Sequence, residues 1–283
     1  MLIACVQSDV TFANVPANVQ RVKDWTEQAG AAGADLAVLP ECMLSGYAYE
    51  SREEALPHAL ATDDAIFAEL AETAAKHSMH VTLGFLEKAG DRLFNASAMI
   101  GPDGLVGVYR KVHLPHLGID RFVDRGDIPY GVLDAKRASN PGDPIRVGLA
   151  ICYDSSFPEP MRLLALAGAD VIALGTNWPN GASRTAYVVP PARSMENHLF
   201  FVAANRVGEE NGFGFCGCSS ICGPDGVVLA HTDDDQEVML LAEVDPDQAR
   251  NKRIQRSAGH VIHRFNDRCP EFYGDLAAPR KEE

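Results

Sequence analysis

No apolar run in the chain is long enough to cross a bilayer as a helix, which excludes a transmembrane anchor of that kind from the reading. The first residues, Met1-Leu2-Ile3-Ala4-Cys5-Val6-Gln7, lack the basic segment and small-residue cleavage site of an export signal and read as a first strand. Positive charge is scarce. Lys and Arg number 25 against 39 Asp and Glu, a net charge of −14, which argues against nucleic acid or an anionic membrane surface as a partner. Cysteine does not take the form of a disulfide framework: seven residues, an odd number, are spread through a long chain and read as reduced thiols in a cytoplasmic protein. Paired metal-ligand spacings are also missing. Cys216, Cys218 and Cys222 form one Cys-X-Cys-X3-Cys cluster with no partner cluster nearby, so packing is expected there and no metal. Asp233-Asp234-Asp235 reads as a solvated hairpin edge.

What is present is 283 residues, 23% charged and 46% hydrophobic, enough for one large core or two modest ones. After the first strand, Val19, Val22, Trp25 and Ala29 share one face of a helix from Pro16 to Ala32, closed by Gly33. Asp35 to Glu41 reads as a strand, and Asp63 to His77 as a helix. Strands follow at Val81 to Phe85, Phe94 to Ile100 and Leu105 to Lys111, the last two joined by the turn Gly101-Pro102-Asp103-Gly104. Residues 112–143 form a long connection with little periodicity. Beyond it come a strand ending at Cys152, a helix opened by Pro158, and a strand from Asp170 to Leu174. A helix from Ser183 to His198 should kink or restart at Pro190-Pro191. Strands at Leu199 to Asn205 and Glu237 to Val244 complete the pattern, with a polar, irregular tail from Ser257.

The chain echoes itself. Ala32-Gly33-Ala34-Asp35-Leu36-Ala37-Val38-Leu39 recurs as Ala167-Gly168-Ala169-Asp170-Val171-Ile172-Ala173-Leu174, and the Gly-Pro-Asp-Gly turn recurs at Gly223–Gly226. Helix–strand units and hairpins in matching order imply similar halves packed face to face, layered helix, sheet, sheet, helix, and the period is too long for a solenoid.

Three ionisable groups fall at strand ends: Glu41, Lys111 and Cys152. Together they supply a base, a cation for an oxyanion, and a nucleophile, the set that acyl transfer needs. A helix start close to Cys152 should favour its thiolate, and the other cysteines read as lying in apolar runs, so Cys152 is expected to be the reactive thiol. His113, near Lys111, reads as a local structural histidine rather than the partner of a Cys–His protease pair.

These residues carry a family resemblance. Leu39-Pro40-Glu41, Tyr109-Arg110-Lys111-Val112-His113-Leu114 and Ile151-Cys152-Tyr153-Asp154…Phe157-Pro158-Glu159 resemble the three signature segments of the nitrilase superfamily, carbon–nitrogen hydrolases with a Glu-Lys-Cys triad. Gly46-Tyr47, Thr176-Asn177-Trp178-Pro179, Arg193…Glu196-Asn197 and Ala203-Ala204-Asn205-Arg206 support it, and the likeness runs over nearly the whole chain. It implies an α/β fold, a four-layer αββα sandwich, over residues 1–256, with 257–283 as a C-terminal arm in the contact of a homodimer or higher homo-oligomer. It implies Cys152 as nucleophile, Glu41 as general base, and Lys111 with the Tyr153 backbone N–H as stabilisers of the tetrahedral intermediate. No metal or organic cofactor is implied.

The resemblance is incomplete. No glutamate lies between Lys111 and Cys152, so Asp120 is the candidate for the second carboxylate; the alternative is that it caps its loop beside a surface arginine. Ser156 stands where many members carry Arg. Tyr153-Asp154 after the cysteine, in place of Trp-Glu, favours the amide branch over nitrile hydrolysis. The expected substrate is a small carboxamide. An N-carbamoyl compound, a nitrile, and a catalytically silent binding or scaffold role are the alternatives. The pocket is expected at Tyr47, His116, Asn177 and Trp178.

Overall fold

A computed structural model describes residues 1–137 and 140–278. The first half of the chain supplies β1 (Leu2–Gln7), α1 (Val15–Ala31), β2 (Leu36–Val38), α2 (Arg52–Ala55), α3 (Ala65–Lys76), β3 (His80–Ala89), β4 (Arg92–Gly101) and β5 (Gly104–Arg110). The second half supplies β6 (Val132–Arg137), β7 (Asn140–Ile151), α4 (Pro158–Leu166), β8 (Val171–Thr176), α5 (Ser183–Asn197) and β9 (Phe200–Asn205). A short ribbon, β10 (Glu209–Glu210) and β11 (Phe213–Gly214), precedes β12 (Ser220–Cys222), β13 (Val228–His231), β14 (Val238–Glu243) and α6 (Pro246–Arg250).

Two six-stranded sheets result, in the orders β14-β1-β2-β3-β4-β5 and β13-β12-β9-β8-β7-β6. Each has three central parallel strands, an antiparallel hairpin on one flank and a single antiparallel strand on the other. Helices α1 and α3 pack together outside the first sheet, α4 and α5 outside the second, and the inner faces meet through β3 with β8 and β4 with β7. This is the αββα sandwich.

The echo in the sequence is an echo in structure. Asp35 bridges to the start of β1: its N–H donates to Leu2 O at 2.9 Å, and its carboxylate accepts from Leu2 N at 2.9 Å. Asp170 does the same to β7, with its N–H on Arg146 O at 2.8 Å and its carboxylate on Arg146 N at 3.0 Å. Gly33 and Gly168, at φ +83° and +94°, turn the chain ahead of each aspartate in the region open to glycine.

Local chemistry explains the elements. Asn14 caps α1 by accepting from Ala17 N, Pro16 fits its first turn, and Val19, Val22 and Ala29 bury its inner face. Three expectations are corrected. Helix α5 does not restart at Pro190-Pro191 but runs unbroken: Pro190 is buried, and packing of the helix on β9 and β12 outweighs two missing N–H donors. The stretch 112–143 is not all connection, since it holds β6 and the first residues of β7, paired antiparallel. The region after Arg250 forms a separate unit that opens with a hairpin, β15 (Arg253–Ser257) and β16 (His260–His263), turned at Gly259. Its mostly polar strands hide that pairing from a hydrophobic-pattern reading. No helix among the described residues is long and apolar enough to cross a membrane.

Candidate active site

Glu41 lies just past β2, where the chain leaves the strand and turns between the sheets. The turn is clamped by glycines from both. A Cβ on Gly84 of β3 would stand 2.2 Å from Cys42 N, and one on Gly175 of β8 would stand 3.0 Å from Glu41 N. Only backbone without a side chain allows that approach. Gly84 N donates to Pro40 O at 3.0 Å and Leu44 N to Gly84 O at 3.2 Å, so the turn is tied to β3 on both sides of Glu41.

Lys111 follows β5 directly, and its N–H donates to Asn95 O on β4 at 2.8 Å. Its Nζ reaches Glu41 Oε1 at 2.7 Å and Asp120 Oδ2 at 2.6 Å, all three side chains fully out of solvent. Asp120 comes from a 3-10 turn, Gly118–Arg121, whose Ile119 N–H donates to Tyr47 O at 2.9 Å. Tyr47 is buried, with its hydroxyl 2.9 Å from Asp120 Oδ2. Asn95 Nδ2 donates to Glu41 Oε1 at 2.7 Å and to Asp120 Oδ1 at 2.9 Å. Asp120 thus sits beside Lys111, not beside a surface arginine.

Burial pushes the Glu41 carboxyl above its usual range, against the pull of Lys111. Burial works to discharge Lys111, yet Asp120 and Glu41 beside it hold the ammonium well above its ordinary value. The cluster is therefore a buried cation between carboxylates, and Glu41 Oε2 has no hydrogen-bond partner among the described residues.

Cys152 opens the 3-10 turn Cys152–Ser156 at the end of β7, with φ +41°, a left-handed backbone that a non-glycine residue adopts only when its surroundings enforce it. Asp154 ties this turn to its surroundings. Its carboxylate accepts from Ile151 N at 3.1 Å, His113 N at 3.2 Å and the Tyr109 hydroxyl at 2.8 Å, and faces His113 Nδ1 at 2.7 Å. Ser155 Oγ donates to Cys152 O at 2.7 Å. His113 stacks on Phe157 and turns to Asp154, as a structural histidine.

The turn Cys152–Ser156 separates the cysteine from the start of α4 along the chain, and burial works against the thiolate that a helix start was expected to favour. Burial, then the Glu41 charge, push its thiol up to about 12, while Lys111, the Thr176 hydroxyl and the Asn177 backbone N–H pull the other way. The net balance favours the thiol over the thiolate. Nor are all other cysteines in apolar surroundings, since Cys269 is exposed.

Asn177 is buried beside Cys152, and neither its side-chain oxygen nor its nitrogen has a partner among the described residues. Asn205 fixes the next residue, accepting from Trp178 N at 2.8 Å and donating to Gly217 O at 2.6 Å. Trp178 itself is buried. Tyr153 projects its ring outward, edge-on to Phe157, so only its backbone belongs to the turn beside Cys152. His116 is exposed and lines, with Leu117, Gly118, Arg121 and Phe213, a cavity of about 210 Å³. The motifs pass over Asn95 and the tethering role of Asp154; a lone amide within Leu93-Phe94-Asn95-Ala96 is the one available signal for the first.

Comparisons with known proteins point to one family and one fold. The carbon–nitrogen hydrolase family profile matches residues 2–254. A protein named nitrilase from Pyrococcus abyssi is 35% identical over 272 residues, covering 96% of this chain and 98% of its own. An N-carbamoylputrescine amidase from Arabidopsis thaliana is 29% identical over 299 residues, covering 95% and 93%. The crystal structure of an amidase from Nesterenkonia sp. superposes with a TM-score of 0.75 at 23% identity, over 89% of this chain and 92% of that one, and shares the fold.

Proposed function

The chain belongs to the carbon–nitrogen hydrolase family, hydrolases of non-peptide C–N bonds, and from that premise we propose that it cleaves a small carboxamide to carboxylate and ammonia through a thioester on Cys152. The observation that carries this reading is the buried Cys152 thiol within electrostatic reach of the buried Glu41 carboxylate, whose Oε2 has no hydrogen-bond partner among the described residues.

Each step has a group to perform it. As Cys152 Sγ attacks the carbonyl carbon, its proton passes to Glu41 Oε2, whose raised affinity for a proton suits it to the transfer. Lys111 Nζ has three N–H bonds and spends two on Glu41 and Asp120, which leaves one for the oxyanion, alongside the Tyr153 backbone N–H. When the tetrahedral intermediate collapses, the C–N bond breaks and the proton on Glu41 goes to the departing nitrogen. Water then gives a proton to Glu41 and attacks the thioester, and C–S cleavage returns the proton to Sγ. The unpartnered Asn177 side chain offers a donor and an acceptor to the substrate.

Amides are favoured over nitriles because Tyr153-Asp154 follows the cysteine, and a nitrile needs a differently placed acid as the thiolate adds. Ammonia release from propionamide, propionitrile and an N-carbamoyl amine decides the class. Propionamide turns over fastest on this reading, and Cys152→Ala is inactive. A nitrile rate equal to the amide rate, or activity surviving in Cys152→Ala, overturns it.

The same reading makes residues 257–283, within the unit that begins at Asn251, an arm for a second copy of the chain, and the exposed Phe272 and Leu276 suit that contact. Sedimentation velocity of a chain ending at Arg250 tests this: the truncated protein should assemble fewer copies than the full chain, and an unchanged oligomeric state contradicts it.

A further inference from the structure

We infer that Asn95 is a positioning residue that fixes which oxygen of Glu41 serves as the base. The inference rests on the hydrolase reading above for its meaning, and on the following geometry for its support. Asn95 stands on β4 opposite Lys111, whose N–H donates to its backbone carbonyl. Its side chain is buried and spans the two carboxylates of the cluster, with one Nδ2–H to Glu41 Oε1 at 2.7 Å and the other to Asp120 Oδ1 at 2.9 Å.

The orientation of the amide is determined by its surroundings. Both carboxylates are acceptors, so the NH2 group must face them. On the other side the Cys42 thiol lies 3.6 Å from Asn95 Oδ1 and donates to it. That thiol is pushed well above its ordinary pKa by burial and by the Glu41 and Asp120 charges, and so remains a donor. A flipped amide would set oxygen against two carboxylates.

The consequence falls on Glu41. Its Oε1 receives Lys111 and Asn95 together, and both of the donors that reach Glu41 fall on that oxygen. Oε2 is left bare. A carboxylate without Asn95 could rotate and share its donor between both oxygens. The charged and titratable groups facing Glu41 are Lys111, Asp120, Cys152, Tyr47 and Cys42. Among them Lys111 alone favours ionisation of Glu41 by its charge, and the Asn95 amide adds a neutral donor to the same end. Removing the amide takes a donor from Glu41, so the Glu41 carboxyl holds its proton to higher pH.

Two variants test this. Asn95→Leu keeps roughly the shape and deletes both donors; Asn95→Ser keeps one hydroxyl donor. The pH dependence of Cys152 alkylation by iodoacetamide, followed by peptide mapping, needs no substrate and reports ionisation of the base. In Asn95→Leu its midpoint should rise by about one pH unit, the scale expected for losing a charge-assisted hydrogen bond. The acid limb of kcat/KM for propionamide should move with it, with kcat falling more than KM rises, and Asn95→Ser should shift less. Folded variants with reduced activity or melting temperature but an unmoved midpoint would overturn the inference and leave Asn95 a merely structural residue. If Asn95→Leu does not fold, the midpoint of Asn95→Ser decides. Failure of the wild type to release ammonia from any amide counts against the hydrolase reading alone, since the alkylation midpoint still decides the role of Asn95.

Discussion

Asp120 Oδ2 lies 2.6 Å from Lys111 Nζ, a direct contact between side chains wholly shielded from solvent. Aspartate is one methylene shorter than the glutamate its position in the resemblance would carry, and the backbone makes up the difference. Ile119 N–H binds Tyr47 O, and Gly118, at φ +45°, lets the turn press against the Tyr47 ring, where a Cβ would stand 2.3 Å from Cε1. No bridging water is needed.

Asp120→Asn should therefore cut kcat by about two orders of magnitude, the scale of losing one positioned acid–base group. Lys111 keeps Glu41 as counter-ion in the variant, so the fold should survive. Kinetics and a thermal melt on the same preparation check both halves. Near-normal turnover would remove Asp120 from the mechanism.

A thiol held at about 12 contributes little free thiolate near neutrality, so alkylation of Cys152 should depend on proton removal by Glu41. In wild-type protein iodoacetamide should label Cys152 and the exposed Cys269, and leave the buried Cys5, Cys42 and Cys222 unmodified. In Glu41→Gln the Cys152 label should drop at least roughly tenfold with Cys269 unchanged. Equal labelling of Cys152 in the two proteins would show that Glu41 is not its base.

Stability should fall on mild acidification through His80. Burial lowers its pKa below the ordinary 6.5, and its Nδ1 has no partner among the described residues. Above that value both folded and unfolded chains hold the imidazole neutral. Below it the unfolded chain takes a proton that the folded chain resists, at about 1.4 kcal/mol for each pH unit between the two pKa values. The melting temperature should therefore drop from pH 7 to pH 5, and the drop should be smaller in His80→Gln. Parallel curves for the two proteins would assign the acid sensitivity elsewhere.

The strand-end positions of Glu41, Lys111 and Cys152 are legible because each follows an apolar run that can only be a buried strand. The halves are legible because Asp35 and Asp170 do the same bonding work in the same local sequence. Asn95 is not legible as a site residue. Its partners Glu41 and Asp120 lie 54 and 25 residues away, and the strand containing it reads as core. Strand β6 is hidden by Asp134 and Lys136, polar residues on an edge that one neighbour alone covers. The state of the Cys152 thiol is hidden because sequence shows a helix start close by but not the burial that outweighs it.

Asp154 gives the remaining test, and it separates the nucleophile turn from the charge cluster. Four polar groups converge on its two oxygens: Ile151 N and the Tyr109 hydroxyl on Oδ2, His113 N and Nδ1 on Oδ1. Asp154→Asn must place an NH2 group against one of these pairs. On the Oδ2 side it meets two donors, and the Ile151 tether fails. On the Oδ1 side the imidazole can present an unprotonated Nδ1 as acceptor, and only the His113 N–H is opposed. The amide should take the second orientation, retain the Ile151 contact, and lose about 1–3 kcal/mol of stability for the unpaired donor. Activity should then fall modestly. Asp154→Ala removes every carboxylate tie of the turn and leaves the Ser155 contact to hold Cys152 at φ +41°, so kcat should drop about a hundredfold, the scale of a small misplacement of a reacting group. Tyr109→Phe, which takes away one donor and leaves the tether, should be the mildest of the three. Turnover in Asp154→Ala close to wild type, with the fold confirmed by circular dichroism, would show that the turn holds the cysteine without this carboxylate.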